Sequence, residues 1–157
     1  MNVMRRNIIL MLTCVLLLSC NKDKTFIDEH IIPAPKIIQL QDDRMHPIKD
    51  IIVSGSTQNL QYLHNKDEYF LKIEKGNVYI EGNEIWARQT LTQLADNEGY
   101  VPDIQIHDWS EYPFRGFMHD TGRNFQTIEM LKETIDLMSF YKINYFHWHL
   151  TDYPAWR

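Results

Sequence analysis

Cysteine is nearly missing from this 157-residue chain. The two that occur, Cys14 and Cys20, both lie in the first twenty residues. Nothing beyond them can therefore form a disulfide or a thiolate site. Long apolar runs are also missing. The longest, Ile8 to Leu18, is interrupted by Thr13 and Cys14 and falls short of the ~20 residues that span a bilayer. Positive charge is in deficit: 16 Lys and Arg face 21 Asp and Glu, a formal charge of −5, and no basic stripe occurs. That argues against nucleic acid as a partner. There is no internal repeat and no low-complexity tract. What remains is ordinary for a globular chain, with 44% hydrophobic and 24% charged residues and length enough for about one domain. The 12% aromatic share suits stacking on sugars but suits a core equally well.

The first residues read as an export signal. Arg5-Arg6 is a positive n-region, and Ile8 to Leu18 is a short apolar h-region. Leu17-Leu18-Ser19-Cys20 looks like a bacterial lipoprotein signal, with Cys20 as the lipidated first residue after cleavage. An ordinary secretory signal with an incidental cysteine is the alternative. The expectation is a signal over 1–19, a polar tether over 20–30, and a lipid-anchored protein of the cell envelope, on the outer membrane or a periplasmic face. Loss of Arg5 and Arg6 would take the formal charge from −5 to −7.

Residues 31–111 read as a small α+β domain. Ile31-Ile32-Pro33-Ala34-Pro35 is extended, because residues before proline avoid the helical region. Ile37–Leu40 and Ile48–Val53 read as short strands. Gln58–Lys66 reads as a short helix. Tyr69–Glu74 alternates apolar and polar, and Val78–Glu81 follows across Lys75-Gly76-Asn77, a hairpin pattern. Glu84 to Leu94 reads as a helix, and Ile104–Trp109 as a strand and turn.

From Tyr112 the pattern changes. Phe114–Met118 is a short strand-like run broken by Gly116. Thr127 can cap a helix reaching about Lys142, whose stripe is Ile128, Leu131, Ile135 and Met138. Ile143–Leu150 is β-prone and aromatic, and is bounded by Asp152 and Pro154. Strand, helix and strand on short loops make a βαβ unit with parallel strands.

Several pieces of 112–157 carry a resemblance: Arg115-Gly116, Asp120, Arg123, the helix and exit LKETIDLMSFYKIN, His147-Trp148-His149-Leu150-Thr151-Asp152, and Trp156-Arg157. Together they closely resemble the start of the catalytic barrel of glycoside hydrolase family 20, the β-N-acetylhexosaminidases. The family barrel is a TIM (β/α)8 barrel. The resemblance implies an α+β accessory domain followed by the first β-α-β portion of that barrel. Gln89–Leu94 resembles the helix that ends the accessory domain, and Ile104–Trp109 the approach to the barrel. The stretch 54–68 is short for that domain, which questions the small sheet's integrity. A full barrel needs about 200 residues or more. The chain is therefore expected to be an N-terminal part of a longer enzyme, with an open, aggregation-prone edge at Ile143–Leu150.

The implied reaction is retaining hydrolysis of terminal β-linked N-acetylhexosamine, with the substrate's own acetamide as nucleophile. No cofactor and no metal is implied, and the partner is an N-acetylhexosamine-containing glycan. Arg115 matches the arginine of the family's Arg-Gly pair and is expected to bind sugar hydroxyls through its rigid fork of donors. A structural ion pair is its alternative. Asp152 matches an aspartate of the active-site carboxylate–histidine network, and its alternative is loop capping. Tyr153 stands where the family usually has a second acid. His147 and His149 share one strand face and are expected to pack or hydrogen-bond behind the site. The same pair could instead ligate a metal, as in a metal-dependent hydrolase. Asp120 and Arg123 are expected to form a structural ion pair. His119 replaces a more usual apolar residue. No adjacent Asp-Glu pair occurs in 112–157, so the general acid is missing and the chain alone is expected to be inactive. A non-catalytic envelope lipoprotein or barrel remnant is the other alternative.

Overall fold

Strict alternation organises the first part of the chain. In β3 (Tyr69–Glu74) the side chains of Tyr69, Leu71 and Ile73 turn inward and are at most 1% exposed. In β4 (Asn77–Gly82) Val78 and Ile80 do the same. The loop between them is two residues, one shorter than expected. Lys75 and Gly76 have φ of 50° and 83°, both in the left-handed region. Two positive φ values in a two-residue loop match the right-handed twist of the flanking strands, and the glycine makes the second tolerable. Helix α1 (Glu84–Leu94) has the expected bounds, and Asn83 caps it by accepting from the Trp86 amide. Ala87, Leu91 and Leu94 of α1 pack on Val78, Ile80, Leu71, Ile73, and on Val101, Ile104 and Ile106 of β5 (Tyr100–Asp108). Truncating one of these large side chains to alanine would cost about 2–5 kcal/mol.

The computed structural model describes residues 31–61, 66–153 and 155–156. The expected signal, tether and Cys20 lie outside those residues. The sheet is whole among them: five strands in the order β1-β5-β3-β4-β2. Its edges are β1 (Ile37–Pro47) and β2 (Ile51–Ser54). The doubt raised by the short 54–68 stretch is thus answered, because β2 pairs with β4 in parallel and needs only four residues. β1 is longer than the expected Ile37–Leu40. It runs on through the polar Asp42–His46 with two register shifts, opposite β5 as far as Tyr100. The expected helix over Gln58–Lys66 is turn and bend where it is described, at 58–61 and at Lys66.

The second part is the expected βαβ unit. β6 (Gly116–Asp120) and β7 (Tyr145–His149) pair in parallel, from Gly116↔Tyr145 to Asp120↔His149. β6 starts two residues later than expected, since Phe114 stacks on Tyr145 at 4.7 Å before the pairing begins. Between the strands runs α2 (Ile128–Phe140), capped by the hydroxyl of Thr127. It ends in a Schellman motif: Ile143 N donates to Met138 O and Lys142 N to Ser139 O. The left-handed residue of that motif is Lys142, φ 58°, where glycine is usual. A two-strand hairpin, β8 (Thr151–Asp152) with β9 (Ala155–Trp156), follows and was not legible in the sequence.

Candidate functional site

The two ends of the β6–β7 ladder carry different chemistry. At the amino end, Arg115 precedes β6 by one residue. Its Nη1 donates to Asp67 Oδ2 at 2.7 Å and to the Tyr112 carbonyl at 2.6 Å, and its Nε donates to the Lys142 carbonyl at 2.7 Å. The guanidinium also lies over the Trp86 ring, 5.5 Å from its centre. Trp86 Nε1 closes the circuit by donating to Asp67 Oδ1 at 3.1 Å. Burial pulls the Asp67 pKa up, but hydrogen bonds from Ser110, Arg115 and Trp86 outweigh it and leave the carboxyl below its ordinary value.

Beside it a more buried cluster joins the βαβ unit to the sheet. Lys142 Nζ donates to Asp108 Oδ2 and to Tyr69 Oη, both at 2.9 Å. Tyr69 Oη also donates to Asp108 at 3.1 Å and lies 2.5 Å from Thr90 Oγ1. Burial holds the Lys142 pKa below the ordinary lysine value despite the Asp108 carboxylate. Burial likewise raises the Tyr69 pKa, with Asp108 adding to it. Gln93 Nε2 donates to the Phe140 carbonyl at 2.7 Å and Gln89 Nε2 to Ser139 Oγ at 2.6 Å. The amino end is thus an internal seam, with no fully buried polar side-chain atom unpaired among the described residues.

The carboxyl end is open. Asp120 ends β6, His149 ends β7, Arg123 comes from the turn after β6, and Asp152 ends the short strand β8. Arg123 Nε donates to Asp152 Oδ2 at 2.7 Å, and its Nη2 bonds the same oxygen. Asp120 Oδ2 lies 3.3 Å from Arg123 Nε, and Asp120 Oδ1 accepts from the Arg123 amide at 3.0 Å. His149 Nε2 is 3.3 Å from Asp152 Oδ2, and the Tyr153 amide donates to Asp152 Oδ1 at 2.7 Å. The Arg123 hydrogen bonds hold the Asp152 carboxyl below its ordinary pKa, with help from Tyr153 and His149. The Arg123 side chain remains 69% exposed, and its Nη1 makes no hydrogen bond among the described residues.

Backbone geometry sets this end. The amides of Thr121 and Gly122 both donate to the His149 carbonyl, at 3.0 and 3.3 Å, folding the β6 exit onto β7. A methyl group at Gly122 would lie 3.0 Å from the Asp152 backbone nitrogen. That contact is tighter than usual, so a side chain there would push the Asp152 backbone away by a few tenths of an ångström.

The structure therefore separates the residues singled out in the sequence. Asp152, His149, Asp120 and Arg123 come together, and the expected Asp120–Arg123 pair is present with Asp152 as a third member. Arg115 is at the other end of its strand, with its donors turned into the seam. His147 is exposed on the same face as His149, with ring centres 6.2 Å apart. His119 packs its ring 5.8 Å from Phe117. Ligand atoms of Asp120, His149 and Asp152 lie within 4.8 Å of one another, a spacing that could hold a cation. Arg123 already pairs with both carboxylates and offsets one of their two charges, and His147, the other half of the expected metal pair, is not in the group.

Residues 112–157 match the family model described as the glycosyl hydrolase family 20 catalytic domain. A β-hexosaminidase of Porphyromonas gingivalis is 39% identical over 106 residues, covering 59% of this chain and 14% of that protein. One of Emericella nidulans is 34% identical over 122 residues, covering 70% of this chain and 20% of that protein. The chain thus spans a fifth or less of the length of these relatives. Among solved structures, a β-N-acetylhexosaminidase of Bacteroides fragilis has TM-score 0.66 and 25% identity over 82% of this chain and 35% of that one. A Vibrio harveyi family 20 exo-β-N-acetylglucosaminidase in complex with N-acetylglucosamine has TM-score 0.66 and 26% identity, over 82% and 26%. In sequence over 112–157, and in fold over most of its length, the chain is similar to part of a family 20 β-N-acetylhexosaminidase.

Proposed function

We propose that this chain contributes to a β-N-acetylhexosaminidase that removes terminal β-linked N-acetylhexosamine from glycans by a retaining, substrate-assisted route. The observation that carries the reading is the Arg123–Asp152–Asp120–His149 constellation at the carboxyl ends of two parallel strands. That end is where (β/α)8 enzymes place their chemistry. On this reading β6–α2–β7 is the opening of such a barrel.

Arg123, more than Arg115, has the geometry for the sugar-binding role. Its exposed Nη1 can donate to vicinal hydroxyls while Nε and Nη2 stay fixed on Asp152. Asp152 then acts as a positioning residue, held in turn by His149 and the Tyr153 amide. In the substrate-assisted scheme the acetamide oxygen attacks the anomeric carbon while a carboxylic acid protonates the leaving oxygen. Residues 112–157 contain no adjacent Asp-Glu pair, so their part in this scheme is hydroxyl binding and orientation.

The reading extends to the leader. Arg5-Arg6, the apolar Ile8 to Leu18 and the Leu17–Cys20 tetrapeptide support a lipid anchor at Cys20 and a place in the cell envelope. Incorporation of a labelled fatty acid, lost in Cys20→Ser, tests that part alone.

For the activity, the test is hydrolysis of an aryl N-acetyl-β-glucosaminide by the complete gene product. Turnover is expected, with little or none on the corresponding aryl β-glucoside, which lacks the acetamide. Equal rates on the two would sink the substrate-assisted reading.

A further inference from the structure

The face of the sheet turned away from α1 has a chemistry that the proposed hydrolysis does not use. A cavity of about 330 Å³ opens there, at the lower end of the volumes typical of small-molecule sites. Gln39 and Gln105 are register partners on β1 and β5, so their amides stand side by side. Phe70 and His107 are register partners on β3 and β5, with rings 6.3 Å apart, edge to face. The 58–61 turn brings Gln58 and Gln61 over the same hollow.

The amide groups of Gln39, Gln58, Gln61 and Gln105 make no hydrogen bond among the described residues. His107 is only 5% exposed, and its Nε2 is held 2.7 Å from the buried Glu68 carboxylate. Its other ring nitrogen has no partner among the described residues and is not among fully buried unpaired atoms, so it meets the cavity. Among the described residues the charged side chains nearest the rim are engaged by neighbours. Lys72 is bound to Glu74 at 2.7 Å, and Glu81 accepts from Asn59 at 2.7 Å.

We propose that this hollow binds a neutral, hydroxyl-rich ring, a hexose or N-acetylhexosamine unit of a glycan. An amide presents one acceptor and two donors in a plane, so adjacent amides can serve several hydroxyls that each donate and accept. The Phe70 ring offers an apolar face to the C–H side of a pyranose. Among the described residues the lining holds no lysine, arginine or carboxylate, so a charged ligand finds no direct counter-ion in it. The site is on the sheet and is independent of the Arg123 end, so it would retain a glycan whether or not the chain takes part in cleaving it.

The test is NMR titration of the full chain with methyl N-acetyl-β-glucosaminide and methyl β-glucoside, and with glucuronate as the charged control. At millimolar neutral sugar, the side-chain amide signals of Gln39 and Gln105 and the Phe70 ring are expected to move, while glucuronate leaves them still. Gln39→Ala and Gln105→Ala, changes on a solvated face, should each weaken binding about fivefold, the ratio of one neutral hydrogen bond. Arg123→Ala should leave these shifts intact, which separates this site from the proposed catalytic one. No shift at that concentration, shifts confined to the Arg123 end, or equal response to glucuronate would each overturn the proposal.

Discussion

Two arginines flank β6, and their surroundings are opposite. Arg115 is 22% exposed and its side chain is bound to Asp67 and to the Tyr112 and Lys142 carbonyls. Arg123 is 69% exposed and bound on one side only. The amino end of the strand pair therefore holds the molecule together, and the carboxyl end holds out donors. One five-residue strand separates the inward-bonded arginine from the open one.

The contrast is broken most severely at Lys142. Lys142→Ala leaves Asp108 buried without its cation and should cost about 3–5 kcal/mol of stability, read by chemical denaturation. If the loss is below about 1 kcal/mol, the seam is not what joins the sheet to the βαβ unit. A double change, Lys142→Met with Asp108→Leu, should recover much of it. Next comes Arg115→Ala, expected to cost about 2–3 kcal/mol through its charged hydrogen bonds, with little effect on sugar affinity in the protein that remains folded. Arg123→Ala should do the reverse. It should leave stability within about 0.5 kcal/mol, as exposed pairs do. In the complete gene product it should lower kcat/KM about 10- to 100-fold, the range for losing one or two charged hydrogen bonds to substrate. Gly122→Ala sharpens the point, since its methyl presses on the Asp152 backbone. A drop of about tenfold in kcat/KM with a stability loss near 1 kcal/mol is expected from such a small displacement. The smallest effect is in pH. Arg123 depresses the Asp152 pKa, so the pair is fully formed above the ordinary carboxylate range near 3.9. Its contribution is lost only as pH falls through the lower folded value. A carboxyl-carbon NMR titration should show Asp152 titrating below its unfolded value, and Arg123→Ala should move it up.

Much of the fold was written locally. The period-two run Tyr69–Glu74, the apolar spacing of Glu84–Leu94 and the Thr127 cap of α2 are all signals within a few residues. What could not be read depends on distant partners. The polar Asp42–His46 looks like a loop, yet β5 continues opposite it and keeps it extended. Phe114 belongs to the apolar run but stacks on Tyr145 and leaves β6 to begin later. The site was half legible: Asp152 and His149 follow from the strand end they close. The inward setting of Arg115 was not, because it turns on Asp67 and Trp86, both far away in sequence.

Lys142 has one more consequence, for anyone who would redesign this chain. Helix ends with a left-handed residue invite glycine, and Lys142→Gly would remove roughly 1–2 kcal/mol of backbone strain. Here that substitution, sound for the helix taken alone, would also delete the side chain bonded to Asp108 and Tyr69. A rule that improves one element would unfasten two, so position 142 is one where consensus repair and native stability pull in opposite directions.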